Sequence, residues 1–193
     1  MTSMFTWQGE NGCALESVRV LLGGTGLRAL GRMVRATRDT PAFTASYRLF
    51  VDEAGVLSRL SVTSATAERE RNLTLNHTED GYWLLDTGSA GGGGSRAEFD
   101  GAVDVDLKFS PLFNALPIRR LGLHRQSGDQ VLPMVFVTLP TLEVVLVSQR
   151  YRTLSTSGSR STINFSSNDF SKDITVDGDG MVVEYPDLAT RVS

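Results

Sequence analysis

Apolar and polar residues alternate with a period of two along much of the chain. Phe43, Ala45, Tyr47, Leu49 and Val51 alternate with Thr44, Ser46 and Arg48. Val56, Leu60 and Val62 stand among Arg59, Ser61 and Thr63, and Leu73 and Leu75 stand among Asn72, Thr74 and Asn76. Phe170, Ile174 and Val176 alternate with Ser171, Asp173, Thr175 and Asp177. This period turns one side of each segment toward a core and the other toward water, so each is predicted as a half-buried strand. Turn formers separate the runs: Asp39-Thr40-Pro41, Asp52-Glu53-Ala54-Gly55, Glu79-Asp80-Gly81, Ser127-Gly128-Asp129 and Asp177-Gly178-Asp179-Gly180. Such short connections join antiparallel neighbours, because a parallel pair needs a long crossover. The pattern predicts a mainly β protein built as an antiparallel meander.

Two segments depart from the alternation. Residues 131–139 (VLPMVFVTL) and 142–147 (LEVVLV) are apolar on both faces. Such strands are either covered on both sides or line a cavity. One helix start is evident outside the N-terminal third. Ser110 stands as an N-cap before Pro111 at the first helical position, and Pro117 is predicted to stop the helix near Leu116. Leu112, Phe113, Leu116, Ile118 and Leu121 make this segment an apolar plug. GSAGGGGS, residues 88–95, reads as a flexible surface loop within a single domain spanning 1–193.

Composition narrows the function classes. The chain has 193 residues, 40% of them hydrophobic, and a net charge of −3. That balance argues against a strongly basic nucleic-acid binder and against a polybasic membrane-surface protein. No stretch approaches the roughly 18 apolar residues of a membrane span. The N-terminal MTSMFTWQGENGCALESV has neither the basic nor the apolar region of a secretory signal, so a cytoplasmic location is expected. The single cysteine, Cys13, agrees with that location and is expected to be a small core residue. With only His77 and His124 as bases, nucleophilic catalysis finds little support, and no metal or cofactor is expected.

Several constellations compete for a role. Val18–Leu22 precedes Gly24-Thr25-Gly26, Ala29 fits the spacing of a dinucleotide fingerprint, and Asp52 ends a later strand. A nucleotide-binding enzyme would use Gly24, Gly26 and Asp52, but no further strand–helix alternation follows, so a hairpin turn is the preferred reading. Asp104 and Asp106 share one strand face, and Arg119-Arg120 follow the helix. Either they form Asp–Arg pairs across the plug, or the arginines meet an anionic headgroup at a cavity mouth.

The run DGAVDVDLKFSPLFNALPIRRLGL, residues 100–123, resembles the central signature of the bacterial putative glycolipid-binding family. Trp7, Glu16, Tyr47 and Asp52 fall in the family's order, as do Asp80-Gly81-Tyr82-Trp83, Ser148-Gln149-Arg150-Tyr151, Asp177-Gly178-Asp179-Gly180 and Val183-Glu184-Tyr185-Pro186. Ala102 and Leu112-Phe113 depart from the pattern, and no tryptophan follows Asp52. The resemblance implies a strongly curved antiparallel sheet, an open half-barrel similar in shape to carriers of lipoproteins and glycolipids. The function expected is a non-enzymatic binder of an amphiphile or glycolipid, with no nucleic-acid partner and no stable membrane insertion. The candidate ligand-binding residues are Arg119, Arg120, Gln149 and Tyr151. A nucleotide-binding enzyme and a groove for a protein segment are the alternatives.

Overall fold

The computed structural model describes residues 2–38, 40–88 and 94–193. Its strands, in chain order, are β1 (Thr2–Gly9), β2 (Ala14–Gly23), β3 (Gly26–Arg35), β4 (Phe43–Val51), β5 (Leu57–Ala65), β6 (Glu70–His77), β7 (Trp83–Asp86), β8 (Ser95–Ala97) and β9 (Asp104–Leu107). After the helix α1 (Pro111–Arg120) come β10 (Asp129–Val137), β11 (Val144–Ser157), β12 (Arg160–Ser167), β13 (Phe170–Asp177), β14 (Val182–Tyr185) and β15 (Ala189–Arg191). All strands belong to one sheet, ordered β8-β7-β6-β5-β4-β3-β2-β1-β15-β14-β13-β12-β11-β10-β9.

The edge strands β8 and β9 are consecutive in sequence, so the sheet curls until its two ends approach. Two bonds hold the intervening loop against the first half. The Trp83 indole donates to the Ala102 carbonyl at 3.0 Å, and the Leu57 amide donates to the Val103 carbonyl at 3.0 Å. The edges do not pair among the described residues, which leaves an open half-barrel. The meander prediction needs one correction. β9 and β10 are parallel, with Asp106 opposite Phe136, and α1 lies in the crossover between them. A chain that must return in the same direction needs such a crossover.

The alternating runs bury the predicted face. Phe43, Ala45, Tyr47, Leu49 and Val51 are all in the core. In β5 the phase slips: Leu57, not Val56, is buried with Leu60, because a register shift opposite Phe50 and Val51 inserts an extra residue. The two doubly apolar segments divide along their length. Met134, Val135 and Val137 are buried, whereas Val131, Val145 and Leu146 remain exposed.

α1 runs through Pro117 instead of stopping before it. The proline removes an internal amide donor, at a cost of about 3 kcal/mol. Burial offsets this: Leu112, Phe113, Leu116 and Ile118 are each 3% exposed or less. Ser110 has the extended backbone of an N-cap, yet its hydroxyl makes no cap bond and donates to Glu16 Oε1 at 2.6 Å. The plug divides the interior. Leu112, Phe113 and Leu116 join the larger core, which runs from the first half into β9 and β10, and Ile118 joins a smaller one on β10–β14.

Candidate functional site

Beyond α1, the inner face of the second half is only partly filled. A hollow of 370 Å³ opens between the start of the helix, β10–β12 and the segment after β14. Its walls are Phe136, Val147, Phe165, Phe170, Tyr185 and Leu188. Three of the rings cluster: Phe165 lies 6.1 Å from Phe170 and 6.1 Å from Tyr185, with edge-on geometry. Phe170 is 44% exposed, a large ring left beside an opening.

The hollow meets a buried chain of polar groups. Asn114 donates to the Tyr151 hydroxyl at 3.0 Å, Tyr151 donates to Gln149 Oε1 at 2.9 Å, and Gln149 Nε2 donates to Asp106 Oδ2 at 2.7 Å. Period-two geometry on β11 puts Gln149 and Tyr151 on one inward face, while parallel pairing brings Asp106 alongside β10. Asp106, Gln149, Asn114 and Ser110 line the hollow itself. Burial pushes the Asp106 carboxyl up to about 6, against the opposing bonds from Gln149 and the Leu107 amide. Burial likewise raises the Tyr151 hydroxyl, so it stays a neutral donor. The arrangement offers an ionisable acceptor, two amides and a hydroxyl at the polar end of an aromatic-walled cavity. Those groups suit the hydroxyls or amine of a polar headgroup.

The four sequence candidates separate. Gln149 lines the hollow, and Tyr151 stands behind it, holding its amide. Arg119 and Arg120 are not among the lining residues. Arg119 donates to the carbonyls of Asp179 at 2.5 Å and Gly24 at 2.7 Å, and Arg120 pairs with Asp104. Both arginine stems lie under hairpin turns: a Cβ at Gly55 would meet Arg120 Cγ at 2.9 Å, and one at Gly180 would meet Arg119 Cγ at 2.8 Å. The expected Asp–Arg pairing therefore holds for Asp104 alone. Asp106 pairs with Gln149 because it lies on the cavity side of the helix.

Three further expectations are resolved by geometry. Gly24 and Thr25 are the two central residues of the β2–β3 hairpin, with Gly24 at a φ of +56°, and no helix follows. The Asp52 carboxylate is occupied by the amides of Ala54 and Val56 at 2.9 Å, so the dinucleotide fingerprint is a pair of turns. Cys13 is exposed, not a core residue, because it follows the short 3₁₀ turn at the β1–β2 connection. The glycine-rich loop predicted over 88–95 lies mostly outside the described residues.

Sequence reasoning missed Asn114, Ser110 and the aromatic walls as site residues. Asn114 carried a readable signal, as a polar residue among Leu112, Phe113, Ala115 and Leu116 in the plug.

A curled sheet that stops short of closing, with a helix plugging one side and a small hollow left on the other, is a half-barrel with a ligand-sized cavity. The chain belongs to the family described as "Putative glycolipid-binding", whose profile matches residues 4–191. Comparison with curated proteins gives no significant match. Among solved structures, a DUF1089 family protein of Pseudomonas aeruginosa is similar at a TM-score of 0.73 and 24% identity, over 95% of each chain. A β-barrel-like protein of domain of unknown function DUF1849 from Brucella abortus matches at a TM-score of 0.52 and 9% identity, over 98% of this chain and 93% of that one. These likenesses show the fold. No described helix is long and apolar enough to cross a membrane.

Proposed function

We propose that this protein is a non-enzymatic, cytoplasmic binder or carrier of an amphiphile, with a glycolipid as the ligand class. One observation carries the reading: an aromatic-walled cavity of 370 Å³ ends on the buried chain Asp106–Gln149–Tyr151–Asn114. Small-molecule sites span about 300–1,000 Å³, so the hollow takes a headgroup and the start of a chain, not a whole two-chain lipid. Each methylene covered by the aromatic walls adds about 0.8 kcal/mol. Asp106 and Gln149 accept and donate to the headgroup, and Tyr151 is a positioning residue for Gln149. Arg119 and Arg120 fix the helix behind the site instead of touching the ligand. The family assignment supports this reading.

Native mass spectrometry of protein purified without detergent tests it. The expected result is an adduct of amphiphile mass that disappears in Gln149→Ala. An adduct-free wild type after incubation with a bacterial lipid extract, or a nucleotide or peptide as the adduct, would count against it.

A further inference from the structure

The outer face of β1–β5 is chemically unlike the rest of the surface. Its exposed strand positions carry Arg19, Arg28, Arg32, Arg48 and Arg59. No outward position on these five strands is acidic. None of the five arginines is ion-paired among the described residues. The nearest acids lie at the margins: Asp52 and Glu53 in the β4–β5 turn, and Glu70 and Asp86 on β6 and β7.

Register sets the pattern. In one cross-strand row Met4, Arg19, Leu30 and Arg48 stand side by side, and in the next Leu21, Arg28, Phe50 and Arg59 do. Cation and apolar group therefore alternate across the sheet. Met4 is 56% exposed, Leu30 48% and Phe50 38%. With strands about 4.8 Å apart, the five arginine positions fall within a patch roughly 14 Å on a side. Arg19, Arg32 and Arg48 rim a shallow hollow floored around Gly31. The net charge of −3 hides this segregation.

We infer that this face docks on the surface of an anionic phospholipid bilayer. The arginines supply bidentate donors to phosphate oxygens. The interleaved Met4, Leu21, Leu30 and Phe50 favour a bilayer over a nucleic acid, because a headgroup layer accepts apolar side chains that a phosphodiester backbone leaves in water. Docking there is peripheral, requires no insertion of the fold, and is independent of the cavity on the inner side of the other half.

Co-sedimentation with phosphatidylcholine vesicles, with and without phosphatidylglycerol, tests the inference. The protein is expected to bind only the vesicles that contain phosphatidylglycerol, and to be released by salt. Neutralising one arginine should weaken binding about fivefold, so Arg19→Ser/Arg48→Ser should weaken it about 25-fold with an unshifted melting curve. Leu30→Ser should weaken binding while leaving its salt dependence unchanged. Arg150→Ser, on the outer face of β11, should bind like the wild type. No binding to phosphatidylglycerol vesicles, or binding that ignores the double substitution, overturns the inference. Binding to a duplex DNA fragment that is lost in the double variant, with vesicles ignored, overturns it in favour of nucleic acid.

Discussion

Besides Asp104, which Arg120 of α1 neutralises, each half of the sheet buries one carboxylate with no arginine partner, and the two are treated differently. Glu16, on β2, is sealed. Tyr47 and Ser110 donate to its Oε1 at 2.5 and 2.6 Å, and the Phe113 ring packs edge-on against Tyr47 with centroids 5.2 Å apart. Asp106, on β9, has Gln149 on one side and the hollow on the other. The difference comes from where the helix lies. Leu112, Phe113 and Leu116 fill the curl of the first half, while the second half receives Ile118 and is otherwise left open beside Phe136 and Phe165. One sheet thus builds a polar clamp where its concave side is filled and a polar-ended site where it is not. Burial raises both groups, Glu16 to about 7 and Asp106 to about 6, so neither raised value alone marks the site. The open space beside Asp106 does.

The strongest way to break the sealed side is at Gly31. A Cβ there would fall 2.1 Å from Tyr47 Cζ, so Gly31→Ala must expel the ring and its bond to Glu16. A loss of about 3 kcal/mol in urea unfolding is expected, from overpacking and an unpaired buried acid together. A loss under about 1 kcal/mol would mean that Tyr47 is not held as described.

The pH dependence should follow Glu16 next. Its folded value lies above the ordinary 4.5, so the folded state holds the proton more tightly. Its contribution is full below about pH 4.5 and is lost as pH rises through 7, a swing of about 3 kcal/mol. Asp106 acts in the same direction between its ordinary 3.8 and about 6. Burial lowers His77 and His124, and these work the opposite way as pH falls through the histidine range. Melting temperatures measured from pH 5 to pH 8 should fall in the wild type and fall less in Glu16→Gln. Equal slopes would contradict the sealed, protonatable acid.

The smallest stability effect is expected on the open side. Asp106→Asn keeps an oxygen for Gln149 and removes the cost of a buried charge, so stability at pH 8 should change by less than about 1 kcal/mol. Ligand retention, scored by native mass spectrometry, should drop in the same variant. A large destabilisation with retained ligand would reverse the roles given to the two acids.

Much of this comparison was legible in the residues. Period-two runs such as Phe43–Val51 carry a local signal, because each strand buries one face wherever its partner lies. Asp104 and Asp106 were legible as a pair on one face, with an arginine partner expected after the helix. Which acid takes the arginine was not, since that depends on the parallel β9–β10 pairing, a contact made across the helical crossover. Pro117 signalled a stop that tertiary burial overrides. The hollow was foreshadowed by the doubly apolar 131–147 region, of which Phe136 and Val147 reach the cavity. Its aromatic partners Phe165, Phe170 and Tyr185 come from strands that pair later in the chain, and no spacing announces their convergence.

Filling the hollow shows whether it is a ligand site. Val147 lines the hollow and is half-buried opposite Met134, so Val147→Trp puts an indole into the space. Native mass spectra of both proteins, purified side by side without detergent and incubated with the same bacterial lipid extract, give the answer. An amphiphile adduct is expected on the wild type and none on Val147→Trp, with melting temperatures that stay close. An adduct that persists on the filled variant would contradict a ligand site there.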